Sequence, residues 1–182
     1  MTLEELKEKI AKPHKDYKSV DEKLSNFYDF EELEDGRGVY AISADIDKIE
    51  NEEVLKCIKQ NSTQKNVIYI GNVTDRNIFI RCKEDITGGT AIFFRKIGSV
   101  LGFESKSRNS KKKIKNFTFK EEDRKKIKEW NYANLRLEIF DTDNSNEEDL
   151  IKHFKPAFNA KHNDYECKEI SNLIKDNKGG SG

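Results

Sequence analysis

The chain has 182 residues, with 34 acidic side chains balanced by 34 Lys and Arg. This length suits one domain with short extensions and leaves little room for two. The composition, 35% hydrophobic and 37% charged, indicates a folded protein with a highly charged surface and a core that draws on its 11 Phe and 6 Tyr. A neutral total gives no general attraction to polyanions, so any basic surface must come from the distribution of charge.

Cysteine content and hydropathy indicate the environment of the protein. Cys57, Cys82 and Cys167 are odd in number and too widely spaced for a disulfide framework or a CxxC zinc site. No stretch approaches the ~20 apolar residues of a membrane span. We therefore expect a soluble, cytoplasmic protein with no membrane partner. Neither GxGxxG nor GxxxxGK[ST] occurs, so a nucleotide cofactor is not expected.

The N-terminal half mixes helical and strand patterns. Apolar residues at 3, 6 and 10 predict a short helix before Pro13, and the aromatic residues of segment 27–30 are expected to pack. Runs 39–43 and 67–71 are rich in β-forming residues and lie between turn formers, so each predicts a strand. The apolar residues scattered over 45–60 predict a helical insertion between these strands.

The next elements are two helices and a loop. Thr74 or Asp75 is expected to cap a helix whose apolar positions recur every four residues from 78 to 86 and which ends at two glycines. A second helix is predicted at 91–101. The basic stretch 104–116 is rich in Ser and Asn and predicts a mobile loop.

The C-terminal part adds a strand and further helices. Segment 119–130 predicts a helix with acids early and bases late, and 134–140 alternates apolar and charged residues as a half-buried strand does. A helix at 147–154 ends before Pro156, and a last helix is predicted at 166–176. This order predicts an α/β (α+β) fold, with helices packed around a small sheet.

Short motifs placed along this order resemble the GIY-YIG endonuclease superfamily. They are Gly38-Val39-Tyr40 in the first strand, Tyr69-Ile70-Gly71 in the second, an Arg in the following helix, and EEDLIKHFKPAFN at 147–159. The resemblance spans about residues 36–160, which leaves 1–35 as an N-terminal helical extension and 161–182 as a C-terminal helix with a flexible tail. It implies a three-stranded antiparallel sheet flanked by helices, whose open face holds one divalent metal and the scissile phosphate.

The resemblance also implies catalytic roles. Glu147 would hold Mg²⁺ or Mn²⁺, and Tyr40 would activate or position the attacking water. Tyr69 and Arg81 would bind the phosphate, while Asn159 would support the site. Period-2 geometry places Tyr69 on the strand face opposite its two Ile neighbours, which would leave one face free for substrate.

Two of these positions require a choice. Arg76 and Arg81 both follow the second strand, and Arg81 matches the family if the loop carries a two-residue insertion. Glu147 shares the apolar stripe of its helix, whereas Glu148 can pair outward with Lys152 at i+4. A carboxylate on an inward-facing stripe needs a partner, and a hard cation supplies one through oxygen ligation.

The chain departs from the family pattern near the arginine. Asp85 stands one turn after Arg81, where many relatives have His or Tyr, and Asn72 stands where excision-repair relatives have Lys. An acid near a phosphate repels it unless the acid pairs or binds metal. Simpler alternatives remain: Arg81 can be a surface arginine paired with Glu84 or Asp85, and Glu147 a helix-start carboxylate favoured by the dipole.

Basic residues outside the catalytic motifs are candidates for nucleic-acid contacts. They are Arg76, Arg95, Lys96, Lys111, Lys112 and Lys113. Segment 106–115 carries six basic side chains and no acid, and Phe93-Phe94 beside Arg95-Lys96 combines aromatic and cationic groups. The sequence therefore predicts a metal-dependent endonuclease that hydrolyses phosphodiester bonds, with DNA as the favoured substrate. The alternative is a catalytically weak or inactive GIY-YIG-like nucleic-acid-binding module.

Overall fold

The structure is a computed structural model that describes residues 1–25, 37–64, 66–74, 77–142 and 146–180. Its helices are α1 Leu3–Ile10, α2 Val20–Ser25, α3 Glu52–Asn61, α4 Ile78–Thr87, α5 Ile92–Val100, α6 Glu121–Asn134, α7 Glu147–Phe154 and α8 Lys168–Lys178. Its strands are β1 Lys18–Ser19, β2 Gly38–Ala44, β3 Val67–Val73 and β4 Leu135–Asp141. The predicted α/β fold with a small antiparallel sheet flanked by helices is confirmed.

The sheet has four strands in the order β1-β4-β2-β3, and every pair is antiparallel. The three expected strands are present, and the two-residue β1 adds a fourth at the β4 edge. The backbone N–H of Lys18 also donates to the Glu138 carboxylate at 3.1 Å. Lys12 and Lys23 pair with the same carboxylate at 2.8 and 3.3 Å. These partners lie far away in the chain, so local sequence patterns gave no sign of β1.

Both faces of the sheet are covered, which corrects the expectation of an open face for substrate. Helices α1 and α7 pack on one face through a cluster that includes Leu6, Ile10, Leu150 and Phe154. Residues of α3, α4, α5, α6 and α8 form a larger core on the other face. Every residue of β2 is buried as a result. A polymer substrate therefore has no free face of β2 to lie on.

An irregular register in β3 corrects the predicted orientation of Tyr69. The β2–β3 pairing shifts between Ile42 and Ser43. Ile68 belongs to the larger core and Tyr69 packs against that same core, whereas Ile70 lies in the α1/α7 cluster. Tyr69 is thus opposite Ile70 only, because the bulge interrupts strict alternation.

The cap of α4 differs from the predicted one. Asn77 caps the helix in place of Thr74, because its side-chain oxygen accepts the N–H of Phe79 at 2.9 Å, and Asp75 lies outside the described residues. The other helix and strand predictions within the described residues are confirmed, with ends that shift by a few residues. The aromatic segment 27–30 lies outside the described residues.

The stretch 104–116, here called the basic loop, is docked against the end of α8. Asn177 accepts the N–H of Ser105 at 2.8 Å, and its carbonyl accepts the hydroxyl of Ser107 at 2.9 Å. Further backbone bonds join Ile114 to Lys178 and Gly180 to Ser110, each at 2.9 Å. The loop was expected to be mobile, but these partners from the far end of the chain hold its backbone.

The glycines that follow α8 take part in this docking. A Cβ on Gly179 would lie 2.2 Å from the carbonyl oxygen of Ser107, and its φ is +70°. Only glycine can lie this close to the Ser107 carbonyl at a positive φ without strain. Gly179 is therefore a buried, packed residue, while Gly180 is exposed and bound to the loop through its backbone N–H. None of the helices in the described ranges is long and apolar enough to cross a membrane.

Candidate active site

Two motif glycines have roles in close packing. A Cβ on Gly38 would lie 2.2 Å from the carbonyl oxygen of Phe140 on the neighbouring strand. Gly71 pairs directly with Tyr40 across the sheet, and a Cβ there would lie 2.4 Å from the phenol oxygen. The Tyr40 ring therefore lies over Gly71, and the absent side chain makes room for it.

Tyr40, Arg81 and Asp85 form the centre of the site. The Tyr40 hydroxyl, carried by β2, donates to Asp85 Oδ2 on α4. Arg81 Nη2 lies 3.2 Å from Asp85 Oδ1, one helical turn away. Both Tyr40 and Asp85 are 0% exposed, whereas the Arg81 side chain is 23% exposed. Asp85 thus joins a buried phenol to an arginine that reaches the surface.

Tyr69 completes the cluster from β3. Its ring centroid lies 6.0 Å from that of Tyr40 and 5.0 Å from that of Phe93. Tyr69 is half-buried, so its ring packs on the larger core while part of it remains accessible. Among the two motif tyrosines, Tyr69 is the one that a substrate can touch.

The electrostatics keep both phenols protonated near neutral pH. Burial raises the pKa of Tyr40 well above its usual value, and the neighbouring Tyr69 and Asp85 add to the shift. Burial and Asp85 raise the pKa of Tyr69 to about 12, although Arg81 opposes the rise. Burial works against the charge of Arg81, but Asp85, Tyr40 and Tyr69 together outweigh it and raise the pKa of the guanidinium. Arg81 is therefore a permanent cation beside two neutral phenols.

Glu147 stands at the start of α7 with its carboxylate half-buried. Burial raises the pKa of this group, and the nearby charges of Lys161, His162 and Arg81 oppose the rise. Within the described residues no hydrogen bond or ion pair holds the Glu147 carboxylate. Glu148, in contrast, is exposed and pairs with Lys152 at 2.7 Å, as predicted.

The environment of Glu147 fits a hard divalent cation. A half-buried carboxylate with no direct partner among the described residues gains from a cation, and Mg²⁺ is commonly held by one or two carboxylates with water and phosphate oxygens. The basic side chains of Lys161, His162 and Arg81 around it suit the phosphate that such a site would receive. The donor set is therefore consistent with the expected Mg²⁺ or Mn²⁺.

Asn159 binds the edge strand rather than facing the cluster. Its side-chain oxygen accepts the N–H of Ile70 at 2.9 Å, and its amide donates to the carbonyl of Ile70 at 2.7 Å. The N–H of Phe158 donates to Ile68 at 2.9 Å. Asn159 thus acts as a short extra strand partner, which fixes the segment of β3 that carries Tyr69.

The predicted nucleic-acid contacts lie in different surroundings. Arg95 is buried and donates to Asn116 at 3.1 Å, and Lys96 donates to the carbonyl of Phe158 at 2.7 Å. Both side chains therefore have internal partners, and their placement gives no support to a contact with nucleic acid. Lys111, Lys112 and Lys113 are exposed on the basic loop. Arg76 lies outside the described residues.

Some features of the site had no clear signal in the sequence. The sequence indicated Asp85 as a departure from the family and as one possible partner of Arg81, but gave no sign of its contact with Tyr40. The charges of Lys161 and His162 near Glu147 had no motif at all. His162 has a φ of +62°, a conformation that only the folded chain reveals.

The comparison with protein families agrees with this geometry. The family model for the GIY-YIG catalytic domain matches residues 38–179, which include Tyr40, Tyr69, Arg81 and Glu147. The chain therefore belongs to the GIY-YIG family and carries a nuclease domain, whose substrate class is nucleic acid. The comparisons with curated proteins and with solved structures found no match.

Proposed function

We propose that the protein is a divalent-metal-dependent endonuclease that hydrolyses phosphodiester bonds of DNA. The observation that supports this most is the arrangement of Arg81, which is held by Asp85 next to two tyrosines and lies within electrostatic reach of Glu147. An acid beside a phosphate site would repel the substrate if it stood alone. Here the charge of Asp85 is offset by its arginine partner.

In this proposal Glu147 holds Mg²⁺ or Mn²⁺, and Arg81 and Tyr69 bind the scissile phosphate. When bound, the metal supplies Lewis-acid stabilisation of charge on the phosphate. Arg81 is suited to its role because a planar guanidinium can contact two phosphate oxygens at once. Asn159 supports the site indirectly, through its two bonds to the backbone of β3.

Tyr40 handles the attacking water together with Asp85. Because the Tyr40 hydroxyl donates a hydrogen bond to Asp85, the lone pairs of its oxygen remain free to accept a proton from water. As water attacks phosphorus, its proton passes to Tyr40 and the phenol proton passes to Asp85, while the ester P–O bond breaks and the leaving oxygen takes a proton from solvent. Tyr40 is fully buried, so this step requires Arg81 to shift toward the phosphate and open the site, and the proton that Asp85 receives then neutralises its charge in place of Arg81.

The basic loop is proposed to contact the nucleic acid away from the cut. Lys111, Lys112 and Lys113 are exposed on a backbone that α8 holds in place. Their contacts with phosphates would contribute affinity without reading sequence. The choice of DNA over RNA rests on the family resemblance, since phosphate contacts are common to both.

A second candidate function is a nucleic-acid-binding module with little or no turnover. The observation that favours it is the engagement of Arg81 and Tyr40 by Asp85, which leaves Tyr40 inaccessible. If substrate does not displace this arrangement, the site binds without cutting. The two functions differ in their requirements, because cleavage needs the metal, whereas binding through phosphates weakens mainly with salt.

The decisive experiment compares wild type, Glu147→Gln and the neighbouring control Glu148→Gln. Each is incubated with labelled plasmid, single-stranded DNA and RNA in Mg²⁺, Mn²⁺ or EDTA, and binding is measured in parallel in EDTA. We expect metal-dependent cleavage of DNA that falls by at least ~100-fold in Glu147→Gln, with binding retained. Glu148→Gln should cut like wild type, because Glu148 is exposed and faces Lys152.

Other outcomes distinguish the alternatives. Salt-dependent binding without cleavage by the wild type would favour the binding module. Cleavage of RNA alone would correct the substrate, and full activity in Glu147→Gln would remove Glu147 from the catalytic site.

A further inference from the structure

A second cluster of ligating groups lies away from the nuclease site, between α3 and the start of α8. The sulfur atoms of Cys57 and Cys167 and a carboxylate oxygen of Glu169 lie within 4.8 Å of one another. Cys167 is the residue that precedes α8, and its thiol donates to Glu169 Oε2 at 3.4 Å. Asn61 donates to the sulfur of Cys57 at 3.6 Å. Cys57, Cys167 and Glu169 are here called the thiol cluster.

The thiol cluster borders a polar cleft of about 310 Å³. Cys57 and Glu169 line this cleft, together with the further carboxylates of Glu53 and Glu166. Buried cysteines usually behave as small apolar residues. Apolar packing alone does not explain why the Glu169 carboxylate lies beside both thiols. It also does not explain why Cys57 lines an accessible cleft. Burial also raises the pKa of both thiols, which argues against a nucleophilic cysteine.

One distance in the thiol cluster is close to that expected between two ligands of a tetrahedral metal site, and the others are within 4.8 Å. With metal–sulfur bonds of ~2.3 Å and metal–oxygen bonds of ~2.0 Å, the sulfur and oxygen ligands are about 3.5 Å apart. The distance between Cys167 Sγ and Glu169 Oε2 is 3.4 Å. The cleft leaves a fourth position open to water or to Glu53. Asn61 donates a hydrogen bond to the sulfur of Cys57, as residues outside a metal site often do to orient a metal ligand.

The donor types select the class of metal. Two thiolates favour a thiophilic cation such as Zn²⁺, whereas Mg²⁺ prefers oxygen donors only. We propose that Cys57, Cys167 and Glu169 form a second metal site that binds Zn²⁺ or a cation of its class and ties α3 to α8. Binding replaces the two thiol protons, so two protons are released for each cation bound.

A cation bound at the thiol cluster would hold the start of α8, the helix that supports the basic loop. The helix that begins beside Cys167 ends at Lys178, and Asn177 in its last turn and Gly179 just after it hold the basic loop. A cation at the start of α8 fixes that helix against α3. The site therefore stabilises the support of the basic loop and takes no part in hydrolysis at Glu147.

The test is a Co²⁺ titration of the full chain, freed of metal, reduced, and kept without oxygen in excess Mg²⁺. Cobalt bound to thiolates gives charge-transfer absorption in the near ultraviolet and visible bands typical of tetrahedral geometry. We expect one Co²⁺ per chain with both features, displaced by one Zn²⁺. Cys57→Ala and Cys167→Ala should lose the charge-transfer intensity and weaken Zn²⁺ binding by more than the ~100-fold that the loss of an outer-shell partner causes.

Two further variants guard against misfolding and non-specific binding. Cys82→Ala removes a buried cysteine that lies outside the thiol cluster, so it should titrate like wild type. Glu169→Gln changes a partly exposed side chain and should weaken Zn²⁺ binding by at least ~10-fold with the fold intact. Zn²⁺ should also raise the Tm of wild type and of Cys82→Ala, but not that of Cys57→Ala.

The proposal is overturned if the wild type gives no thiolate-to-cobalt absorption, or if Cys57→Ala gives the same absorption as wild type. Intact mass and free-thiol counts after exposure to air test whether Cys57 and Cys167 instead form a disulfide. A Cys57–Cys167 disulfide, together with no Co²⁺ binding by the reduced protein, would identify a redox pair and also overturn the metal site.

Discussion

The cluster around Asp85 and the basic loop are held in place by different interactions. In the first, an ionic carboxylate buried between β2 and α4 contacts a phenol and a guanidinium. In the second, uncharged Ser and Asn groups hold the backbone, while the lysines of the loop remain exposed. One region buries its charges and the other displays them.

This difference separates two tasks of a nuclease domain. A buried ion pair fixes geometry, but each charge loses its hydration, so removal of one partner leaves the other at high cost. Exposed lysines lose little hydration and interact with phosphates over a distance that salt controls. We therefore expect changes near Asp85 to act on stability and turnover, and changes in the basic loop to act on affinity.

The largest effect is expected for Asp85→Asn. Asn still accepts the Tyr40 hydroxyl, but it removes the charge that pairs with Arg81. Cleavage should fall by at least ~100-fold, and the free energy of unfolding by about 3 kcal/mol, the cost of breaking a buried ion pair. Single-turnover cleavage and urea unfolding measure the two effects.

Glu84→Gln is the matched control for this change. The Glu84 side chain is 46% exposed and lies 4.0 Å from the same arginine. Its replacement should alter stability by less than ~0.5 kcal/mol and leave cleavage unchanged. If Asp85→Asn cleaves at the wild-type rate, the buried charge of Asp85 has no role in catalysis.

The next effect is expected when Lys111, Lys112 and Lys113 are all changed to Ala. Loss of three phosphate contacts should weaken nucleic-acid binding by about 10-fold or more and make the slope of log K against log[salt] less steep by roughly 2–3. Stability should hardly change, because the three side chains are exposed. Fluorescence anisotropy over a range of salt concentrations gives both quantities.

A second triple variant controls for net charge. Lys9, Lys15 and Lys59 are also exposed, and their replacement by Ala removes the same charge elsewhere on the surface. An equal loss of affinity in both triple variants would mean that overall charge, and not the basic loop, binds the nucleic acid.

Asn177→Ala tests how the basic loop is held. The change removes an acceptor for the buried N–H of Ser105 and a donor to Ser99. We expect a loss of about 1–3 kcal/mol in the free energy of unfolding and faster amide exchange across residues 104–116. Hydrogen exchange measured by mass spectrometry reports on this, with the exposed neighbour Asp176→Ala as control. Unchanged exchange in Asn177→Ala would contradict the docking of the loop.

The smallest effect is a gain in stability for Glu147→Gln without metal. Burial raises the pKa of Glu147, so the folded state holds this proton more tightly than the unfolded state does. Ionised Glu147 therefore lowers stability at neutral pH, and the loss is recovered as the pH falls through the raised pKa. After allowance for solvent screening, Gln should add about 0.5 kcal/mol, or roughly 1–2 °C in Tm.

Thermal unfolding at several pH values in EDTA tests whether Glu147→Gln raises the stability. The gain from Glu147→Gln should vanish in acid, where Glu147 is protonated. Glu148→Gln should show no gain, because the exposed pair with Lys152 lowers the pKa of Glu148. A Tm for Glu147→Gln below that of wild type at neutral pH would indicate that the carboxylate has a stabilising partner.

The sequence by itself determined the helices, the three main strands and the order of the motifs. Helical periodicity and strand alternation depend on residues a few positions apart, so they can be read without knowledge of the fold. The family match over residues 38–179 supports the same order of motifs. The choice of Glu147 over Glu148 came from helix geometry and stays a prediction, although the two side chains differ in burial as that geometry requires.

Only the tertiary structure decided which residues meet. Asp85 contacts a tyrosine 45 residues away, and Asn177 binds a loop residue 72 positions before it. The thiol cluster likewise joins two cysteines whose spacing had argued against a metal site. Such contacts depend on how the helices pack around both faces of the sheet, and no local pattern records that packing.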